Sequence, residues 1–397
     1  MLEKILNGYR VIDLTQNVAG PFCTQILGDL GAEIIKIERP GSGDDTRAWR
    51  PPEVGGESAV YLALNRNKKS VCIDLDAADG QAQLRKLVAS ADVFVHSLKP
   101  GSAEARGLGD NDLRMGNERL IYCAISAFGE AGPLRSLPGY DPLMQAFTGI
   151  MSVTGNPGDD PVRVSVSLID MGTGLWSALG ILAACLQRSR TGLGTRVSAS
   201  LLETGLSWMT VFAANYLASG TVPQKFGSAM SSLVPYELFR SADGYVFIAA
   251  GNDRLFVKVC EALGCPELAN DARFLTNPLR VLNRQALHEE LERHTQARST
   301  QESVQNLRRA GAPCSEMNDL KQAIEHEQVK AVGMLSELPI PGAPRHQVMA
   351  LPIAMNHRRS GKLNPPPALG AHTAEVLGSI GCAAQQLEDL RRQGVIA

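Results

Sequence analysis

The start of the chain alternates between two short β-type runs and one helical segment, and this alternation constrains the fold more than any other feature. The runs are YRVIDLT (9–15) and EIIKIERPG (33–41), with AGPFCTQILGDLGA (19–32) between them. Pro21 suits the first turn of a helix, and Gly31 suits its end. A strand, a helix and a strand within about 30 residues predict a βαβ unit with parallel strands and a right-handed crossover.

The same alternation continues along the chain. A helix is expected at GQAQLRKLVASA (80–91), and further strands are expected at SVCIDL (70–75), DVFVHSL (92–98) and RLIYCAIS (119–126). Alternating β and α elements predict an α/β fold with a doubly wound parallel sheet. The first βα turn reads TQNVAGP (15–21), without the glycines of a GxGxxG fingerprint, which argues against a nicotinamide dinucleotide as cofactor.

The pattern of the sequence changes near residue 235, from apolar helices to a hairpin followed by charged helices, and this change predicts a smaller α+β domain. YELFRSADGYVFIAAG (236–251) is typical of a hairpin that turns at Asp243–Gly244, and the following residues are charged and helical. We therefore expect a large domain from residues 1–195 and 326–397, linking helices over 196–234, and the small domain over 235–325.

Composition excludes several classes of function. The 397 residues carry a net charge of −2, which gives no electrostatic reason to expect a nucleic acid or an anionic membrane as partner. The longest apolar run, GLWSALGILAACL (174–186), is shorter than the roughly 20 residues that span a bilayer. The start lacks the apolar core of a signal peptide, and the histidines and cysteines lack metal-ligand spacing. These features predict a cytoplasmic enzyme, or one of an organelle matrix, without a metal.

One carboxylate stands out. In VSLIDMGTG (166–174), Asp170 lies between a β-type run, PVRVSVSLI (161–169), and a long apolar helix. Asp is a favoured N-cap residue, so capping is the simpler interpretation. Gly172 and Gly174, however, would leave room for a ligand at the helix start, where the helix dipole favours negative charge. A carboxylate can also attack a thioester to form an anhydride. The residues alone leave both interpretations open.

Five motifs, in order, resemble the class III CoA-transferase family over essentially the whole chain. They are VIDLTQNVAGPFCTQILGDLGAEIIKIERPGSGDDTR (11–47), NRNKKS (65–70), GYDPLMQAFTGIMSVTG (139–155), IDMGTG (169–174) and LGAHTAEVL (369–377). The resemblance implies that Asp170 is the catalytic nucleophile, acting through aspartyl anhydrides and an aspartyl-CoA thioester. It also implies a coenzyme A thioester as substrate, no tightly bound cofactor, and a homodimer of two interlocked rings.

The resemblance also implies a set of CoA contacts. Arg39 closes the second predicted strand, where ligands of α/β sheets collect, and Arg106 is a basic residue one position later than the family's arginine. Ser97 and Leu98 replace an Asn-Phe pair of formyl-CoA transferase. The full set is Val18, Ala19, Arg39, Ile73, Leu75, Ser97, Leu98, Arg106 and Tyr140. The cations of NRNKKS, taken alone, are predicted to be solvated surface charges.

Within the family, the closest resemblance is to the succinyl-CoA:glutarate branch. This predicts transfer of CoA from a donor such as succinyl-CoA to a small dicarboxylate. Arg47 is a candidate to bind the distal carboxylate of the acceptor, although it could equally pair with Asp44 or Asp45.

Three alternatives remain. The first is an acyl-CoA racemase or epimerase, against which Tyr140 argues, because racemases of the family carry a histidine there. The second is a formyl-CoA:oxalate-type transferase, whose glycine-rich loop has no counterpart in GSAMSSLVPYELF (227–239). The third is a CoA-binding protein without turnover.

Overall fold

The alternating pattern folds into parallel strands joined by helices. The computed structural model of the protein describes residues 2–359 and 363–397. The strands are β1 (Arg10–Leu14), β2 (Glu33–Glu38), β3 (Glu53–Val54), β4 (Glu57–Ser58), β5 (Lys68–Cys72), β6 (Val93–His96), β7 (Ile121–Ser126), β8 (Arg196–Ser200), β9 (Tyr236–Arg240), β10 (Tyr245–Ala249), β11 (Cys314–Glu316), β12 (Leu335–Glu337) and β13 (Gln347–Met349).

Helices connect and cover these strands. They are α1 (Ala19–Asp29), α2 (Ala59–Leu64), α3 (Ala78–Ala89), α4 (Asp110–Gly116), α5 (Asp141–Phe147), α6 (Ile150–Val153), α7 (Leu168–Thr191), α8 (Leu201–Trp208), α9 (Thr210–Ser219), α10 (Asp253–Leu263), α11 (Asn277–Leu282), α12 (Arg284–Gln296), α13 (Thr300–Ala310), α14 (Leu320–Glu325), α15 (Glu327–Ala331), α16 (Thr373–Ser379) and α17 (Ala384–Arg392).

The main sheet has six strands in the order β5-β2-β1-β6-β7-β8, and every neighbouring pair is parallel. The predicted α/β fold with a parallel sheet is therefore confirmed. The strand order reverses between β1 and β6. From β1 the chain adds β2 and then β5 on one side, and from β6 it adds β7 and then β8 on the other side. In open α/β sheets, ligands bind outside the carboxyl ends of the strands at such a point.

The chain divides into two compact units. The first contains Met1–Ile150, Arg163–Ala218 and Gln328–Ala397, and the second contains Met151–Val162 and Ser219–Glu327. The stretch expected to link two domains, 196–234, is thus shared, because β8, α8 and almost all of α9 belong to the first unit. The C-terminal tail also belongs to the first unit, where Ile396 forms a β-bridge with Ile73.

Helix α7 is the longest helix of the described residues and packs against α1. Its 24 residues are long and apolar enough to cross a membrane, so the prediction from the shorter apolar run was wrong on length. Half of its most apolar window is buried inside the chain. In its last turn, the buried Arg188 donates a hydrogen bond to the Asp92 carboxylate at 2.9 Å. These contacts are those of a core helix.

The second unit is built on a three-stranded antiparallel sheet in the order β11-β10-β9. Strands β9 and β10 form the predicted hairpin around Asp243–Gly244, with Tyr245 opposite Arg240. Amphipathic helices cover the sheet and bury an apolar core that includes Phe239, Ile248, Phe256, Leu263, Phe274, Leu287, Leu291 and Leu307.

Candidate active site

A cavity of about 220 Å³ lies at the carboxyl edge of the main sheet, at the point where the strand order reverses. Its walls come from the loops that follow β1 and β6, from the end of β7, and from the start of α7. It is lined by Gln16, Asn17, Val18, Ala19, Gly20, Trp49, Ser97, Leu98, Lys99, Pro100, Ile125, Ser126, Ala127, Leu137, Pro138, Gly139, Tyr140, Asp170 and Leu201. We call it the catalytic cavity, since Asp170 is the one carboxylate among these residues.

Asp170 is not the cap of its helix. Helix α7 begins at Leu168, so Asp170 is the third residue of its first turn, and it lies half-buried at the cavity wall. None of the residues that the structure describes donates a hydrogen bond to its carboxylate. The capping interpretation is therefore wrong. Among the described residues, the Asp170 carboxylate has no hydrogen-bond donor that would compete with a substrate for its oxygens.

The cap comes instead from Asp141, a residue that the sequence analysis did not single out. Its buried carboxylate accepts hydrogen bonds from the backbone N–H groups of Ile169 (2.7 Å) and Asp170 (3.1 Å). These N–H groups have no partner within the helix, so a carboxylate there satisfies them and suits the positive end of the helix dipole. Asp141 is thus the group that positions Asp170.

Burial and the negative charge of Asp141 raise the pKa of Asp170 to about 7. Burial is the larger cause, because removing a carboxylate from water disfavours its charged form. A carboxylate of this basicity is a better nucleophile than an ordinary one, and it is still substantially ionised at neutral pH. Perturbed carboxyl groups in clefts are typical of catalytic sites.

The β-type run before Asp170 is not a strand. Residues 161–167 are irregular, and their alternation does not create a buried face, because Val162 and Val166 are exposed. The side chain of Gln145 substitutes for a neighbouring strand: it accepts from the Val164 N–H (2.8 Å) and donates to the Val164 carbonyl (3.0 Å). Helix α5 therefore anchors this segment through Gln145 and the start of α7 through Asp141.

The two glycines beside Asp170 serve helix packing rather than ligand access. A Cβ atom on Gly174 would lie 2.4 Å from the Ala19 carbonyl oxygen, and one on Gly172 would lie 2.7 Å from the Trp208 ring. Neither glycine lines the catalytic cavity. Gly174 lets α1 approach α7 closely, so the loop between β1 and α1 comes to lie beside Asp170.

A second cavity of about 410 Å³ lies along the same edge of the sheet, outside β2 and β5. We call it the Arg39 cavity. It shares Gln16 and Leu98 with the catalytic cavity, so the two adjoin. Its lining is Leu14, Gln16, Ile37, Glu38, Arg39, Pro40, Ser42, Ile73, Asp74, Leu75, Asp76, Leu98, Arg106 and Gly394.

All nine residues predicted to contact CoA line one of these two cavities. Val18, Ala19, Ser97 and Tyr140 line the catalytic cavity, and Leu98 lines both. The Arg39 cavity holds the remaining four, namely Arg39, Ile73, Leu75 and Arg106. Arg39 pairs with Asp45, and Arg106 pairs with Asp76 at 2.9 Å. The arrangement places two guanidinium groups at one end of a path and Asp170 at the other.

Arg47, the candidate for acceptor binding, lines neither cavity. Its guanidinium is buried and donates to Glu38 (2.8 Å), Glu57 (3.1 Å) and the Pro367 carbonyl (3.2 Å). Its partners are therefore protein carboxylates, although not the predicted Asp44 or Asp45. Because these bonds occupy the guanidinium, we do not carry Arg47 forward as an acceptor-binding residue.

The cations of NRNKKS also differ from the solvated charges expected. Arg66 is buried against Asp29, and Lys68 is fully buried with Asp13 at 3.1 Å, whereas only Lys69 is half-exposed. Lys68 also donates to the Pro21 carbonyl at 3.0 Å.

The same buried cluster holds the loop between β1 and α1, which lines the catalytic cavity. Lys36 donates to the Thr15 carbonyl at 2.9 Å, and Asp44 accepts the N–H of Asn17 at 3.2 Å. Asn17 has a positive φ of 66°, a conformation that Asn tolerates better than most residues. The buried charges therefore fix the backbone of the site.

Within residues 2–359 and 363–397, no group of three or more His, Cys, Asp or Glu side chains could hold a metal ion. The catalytic cavity carries Asp170 and Lys99 among largely apolar walls, and the Arg39 cavity carries two arginines together with the acids Glu38, Asp74 and Asp76.

Comparison with known proteins identifies the class. The family described as CoA-transferase family III matches residues 6–373. The chain is 38% identical to the succinyl-CoA:glutarate CoA-transferase of Homo sapiens, over 95% of this chain and 86% of that protein. It is 35% identical to the succinate–glutarate CoA-transferase of Agrobacterium fabrum, over 94% of this chain and 95% of that protein.

Solved structures agree with this class. A CaiB/BaiF family protein from Brucella suis superposes with a TM-score of 0.85 at 36% identity, covering 94% of this chain and 99% of that one. Rv3272 from M. tuberculosis gives a TM-score of 0.85 at 32% identity, covering 94% of this chain and 98% of that one. The protein is an enzyme of the α/β class, and it belongs to the class III CoA-transferase family.

Proposed function

We propose that this enzyme transfers CoA from an acyl-CoA donor, such as succinyl-CoA, to a small dicarboxylate acceptor, with Asp170 as the nucleophile. The observation that carries the proposal is the position of Asp170. Its unpaired, half-buried carboxylate faces a cavity that continues to Arg39 and Arg106. Guanidinium groups suit the phosphates at the adenosine end of CoA. The similarity to glutarate CoA-transferases supports a dicarboxylate acceptor.

In the first half of the reaction, an Asp170 oxygen attacks the thioester carbonyl of the donor and expels CoA as a thiolate. The product is a mixed anhydride between Asp170 and the donor acyl group. The thiolate then attacks the Asp170 carbonyl carbon. This step releases the donor acid, which takes one Asp170 oxygen with it, and leaves an aspartyl-CoA thioester.

The second half reverses these steps with the acceptor. An acceptor carboxylate oxygen attacks the aspartyl-CoA carbonyl, expels the thiolate and forms a second anhydride. The thiolate attacks the acceptor carbonyl, which gives the new acyl-CoA and restores the Asp170 carboxylate with one oxygen from the acceptor. Each covalent intermediate conserves the free energy of the thioester.

We also propose a homodimer. Helices α7, α8 and α9 expose large apolar side chains, which an isolated chain would leave in water; they include Leu175, Trp176, Leu179, Leu186, Leu206, Val211, Phe212 and Leu217. A second copy of the chain, as in interlocked rings, would cover them. From the sequence we further expect action in the cytoplasm, with no nucleic acid or membrane as partner.

The proposed reaction is tested by mixing the enzyme with succinyl-CoA and a panel of carboxylates, and reading new CoA thioesters by mass spectrometry. We expect dicarboxylates of four to six carbons to accept CoA, and formate and oxalate to accept it poorly. A protein that makes no thioester from any acceptor, yet exchanges the α-hydrogen of an acyl-CoA in heavy water, would instead be a racemase.

The pKa of Asp170 sets an expected pH dependence. Because the nucleophile must be ionised, kcat/KM for succinyl-CoA should rise with pH and level off above about 7. Asp141→Asn removes the second cause of the raised pKa, and an Asn oxygen can still accept the two helix N–H groups. This variant should reach its plateau at lower pH. Identical profiles for the two proteins would contradict the assignment.

A further inference from the structure

A third cavity, of about 280 Å³, adjoins the catalytic cavity on the side of β7 and β8. The two share Leu98, Lys99, Pro100, Ile125 and Ser126, and Leu98 also lines the Arg39 cavity. We call it the His96 cavity. Because the Arg39 cavity opens elsewhere along the sheet edge, the His96 cavity gives the catalytic cavity a further extension, separate from the one lined by Arg39 and Arg106.

His96 contributes an unusual donor to this cavity. The residue is 5% exposed, and its Nδ1 accepts the Leu98 N–H at 3.2 Å, which places the ring proton on Nε2. Of the residues that the structure describes, none accepts a hydrogen bond from Nε2. Burial, together with the charge of Arg196, lowers the pKa of His96 to about 4, so the ring is neutral and remains a donor at neutral pH.

The packing around His96 explains why this donor does not turn to another partner. The ring stacks on Phe94 with centroids 5.6 Å apart and meets the Tyr122 ring edge-on at 5.1 Å. The bond to Leu98 fixes the remaining rotation. A buried donor without an acceptor has lost its bond to water and gained none in return, so a fixed donor of this kind favours a ligand that brings an acceptor oxygen.

The charges of the cavity favour an anion. Arg196 pairs with Glu130, so these two charges balance. Lys99 and Arg135 are exposed on the lining and have no ion-pair partner among the described residues, while Glu104 supplies one further carboxylate. Lys99 and Arg135 are therefore two free cations against a single uncompensated acid, on a lining that also contains the neutral His96 ring. This surplus suits one carboxylate group better than a polyphosphate.

We propose that the His96 cavity binds the distal carboxylate of the dicarboxylic acyl group, with His96 Nε2 donating a hydrogen bond and Lys99 and Arg135 neutralising its charge. This inference rests on the proposed function. In the anhydride at Asp170, the reacting carboxyl group occupies the catalytic cavity. The rest of the acyl chain then passes Leu98 and Ile125, two apolar side chains that line both cavities.

The experiment compares two acceptors of equal length, glutarate and pentanoate, in Arg135→Gln and His96→Phe enzymes. Each variant should lower kcat/KM for glutarate about tenfold, as expected when one interaction with a charged group is lost, and leave that for pentanoate within about twofold. Arg391→Gln, an exposed arginine of α17 that lines none of the three cavities, is the matched control. If a variant lowers kcat/KM equally for glutarate and pentanoate, or lowers it for neither, the cavity does not bind the distal carboxylate.

A binding measurement separates this proposal from the proposed function. Glutarate is titrated calorimetrically into the Asp170→Ala protein saturated with CoA, and into the same protein carrying Arg135→Gln. We expect binding that weakens about tenfold in the double variant, even if the enzyme turns over no acceptor at all. Equal affinity in the two proteins, or no binding to either, would overturn the carboxylate site. Arg135 is exposed, so this variant should fold even if His96→Phe does not.

Discussion

Asp170→Asn should abolish CoA transfer while leaving the fold intact. The amide cannot form either anhydride, so we expect kcat to fall by roughly 10³-fold or more, the scale of loss when a group that forms a covalent intermediate is removed. Binding of succinyl-CoA, measured by calorimetry, should change little, because Arg39 and Arg106 are untouched. Asp112→Asn is the matched control: Asp112 also lies in the first turn of a helix, but it is exposed and lines no described cavity. That variant should keep wild-type activity.

The same substitution should make the protein more stable at pH 8. The pKa of Asp170 is raised to about 7 in the folded protein, so the folded state holds its proton more tightly than the unfolded state. Stability therefore falls as pH rises from about 4 to 7, and a neutral Asn escapes this loss. We expect a gain of up to about 4 kcal/mol at pH 8 and almost none at pH 4. Lost activity together with a raised Tm would exclude misfolding as the cause.

The second large effect concerns stability: Lys68→Met should destabilise the protein by about 3–5 kcal/mol. The Lys68 amine is fully buried and donates to Asp13 (3.1 Å), Asn65 (2.9 Å) and the Pro21 carbonyl (3.0 Å). Methionine fills the volume but removes the cation that neutralises the buried Asp13 and the donor to Asn65, while Asp13 keeps its hydrogen bonds from Thr15 and Thr24. Chemical denaturation at pH 7 is the measurement, because burial lowers the pKa of Lys68 to about 8 and the amine is still mostly charged there.

Lys69→Met provides the matched control, since Lys69 is the next residue of the same strand. Its half-exposed amine pairs with Glu33 (2.9 Å) and Glu375 (2.8 Å), and such surface pairs contribute less than about 1 kcal/mol. A similar loss in both variants would show that burial of the Lys68 charge is not what holds this cluster. Because the cluster fixes the loop that lines the catalytic cavity, Lys68→Met should also lower kcat.

The sequence predicts much of the sheet and of the site, because both depend on local patterns. The βαβ alternation is visible along β1, α1 and β2, and several of the residues predicted to contact CoA, such as Arg39, Ile73 and Ser97, follow directly after strand ends. Parallel strands carry such residues to one edge of the sheet. Motif order was sufficient for the family, and the comparisons confirm it.

What the sequence could not predict depends on contacts between distant residues. Asp141 caps α7 from 28 positions before Ile169, and a capping rule that examines neighbouring residues finds Ser167 or Asp170 instead. Arg66 and Lys68 lie in a strongly polar stretch that is typical of a surface, yet Asp29 and Asp13 pair with them in the interior. The alternation over 161–169 is typical of a strand, but no neighbouring strand is present to bond it, and Gln145 takes that role.

The central claim, that an Asp170 oxygen enters and leaves during turnover, is tested most directly with an acceptor whose carboxylate oxygens are ¹⁸O. After many turnovers in ordinary water, the peptide that contains Asp170 is isolated and its mass is measured by mass spectrometry. The double-anhydride route predicts ¹⁸O in the Asp170 side chain and, after further turnovers, in the released donor acid. A peptide of unchanged mass, with ¹⁸O in the donor acid alone, would show direct reaction between acceptor and donor and would contradict the account.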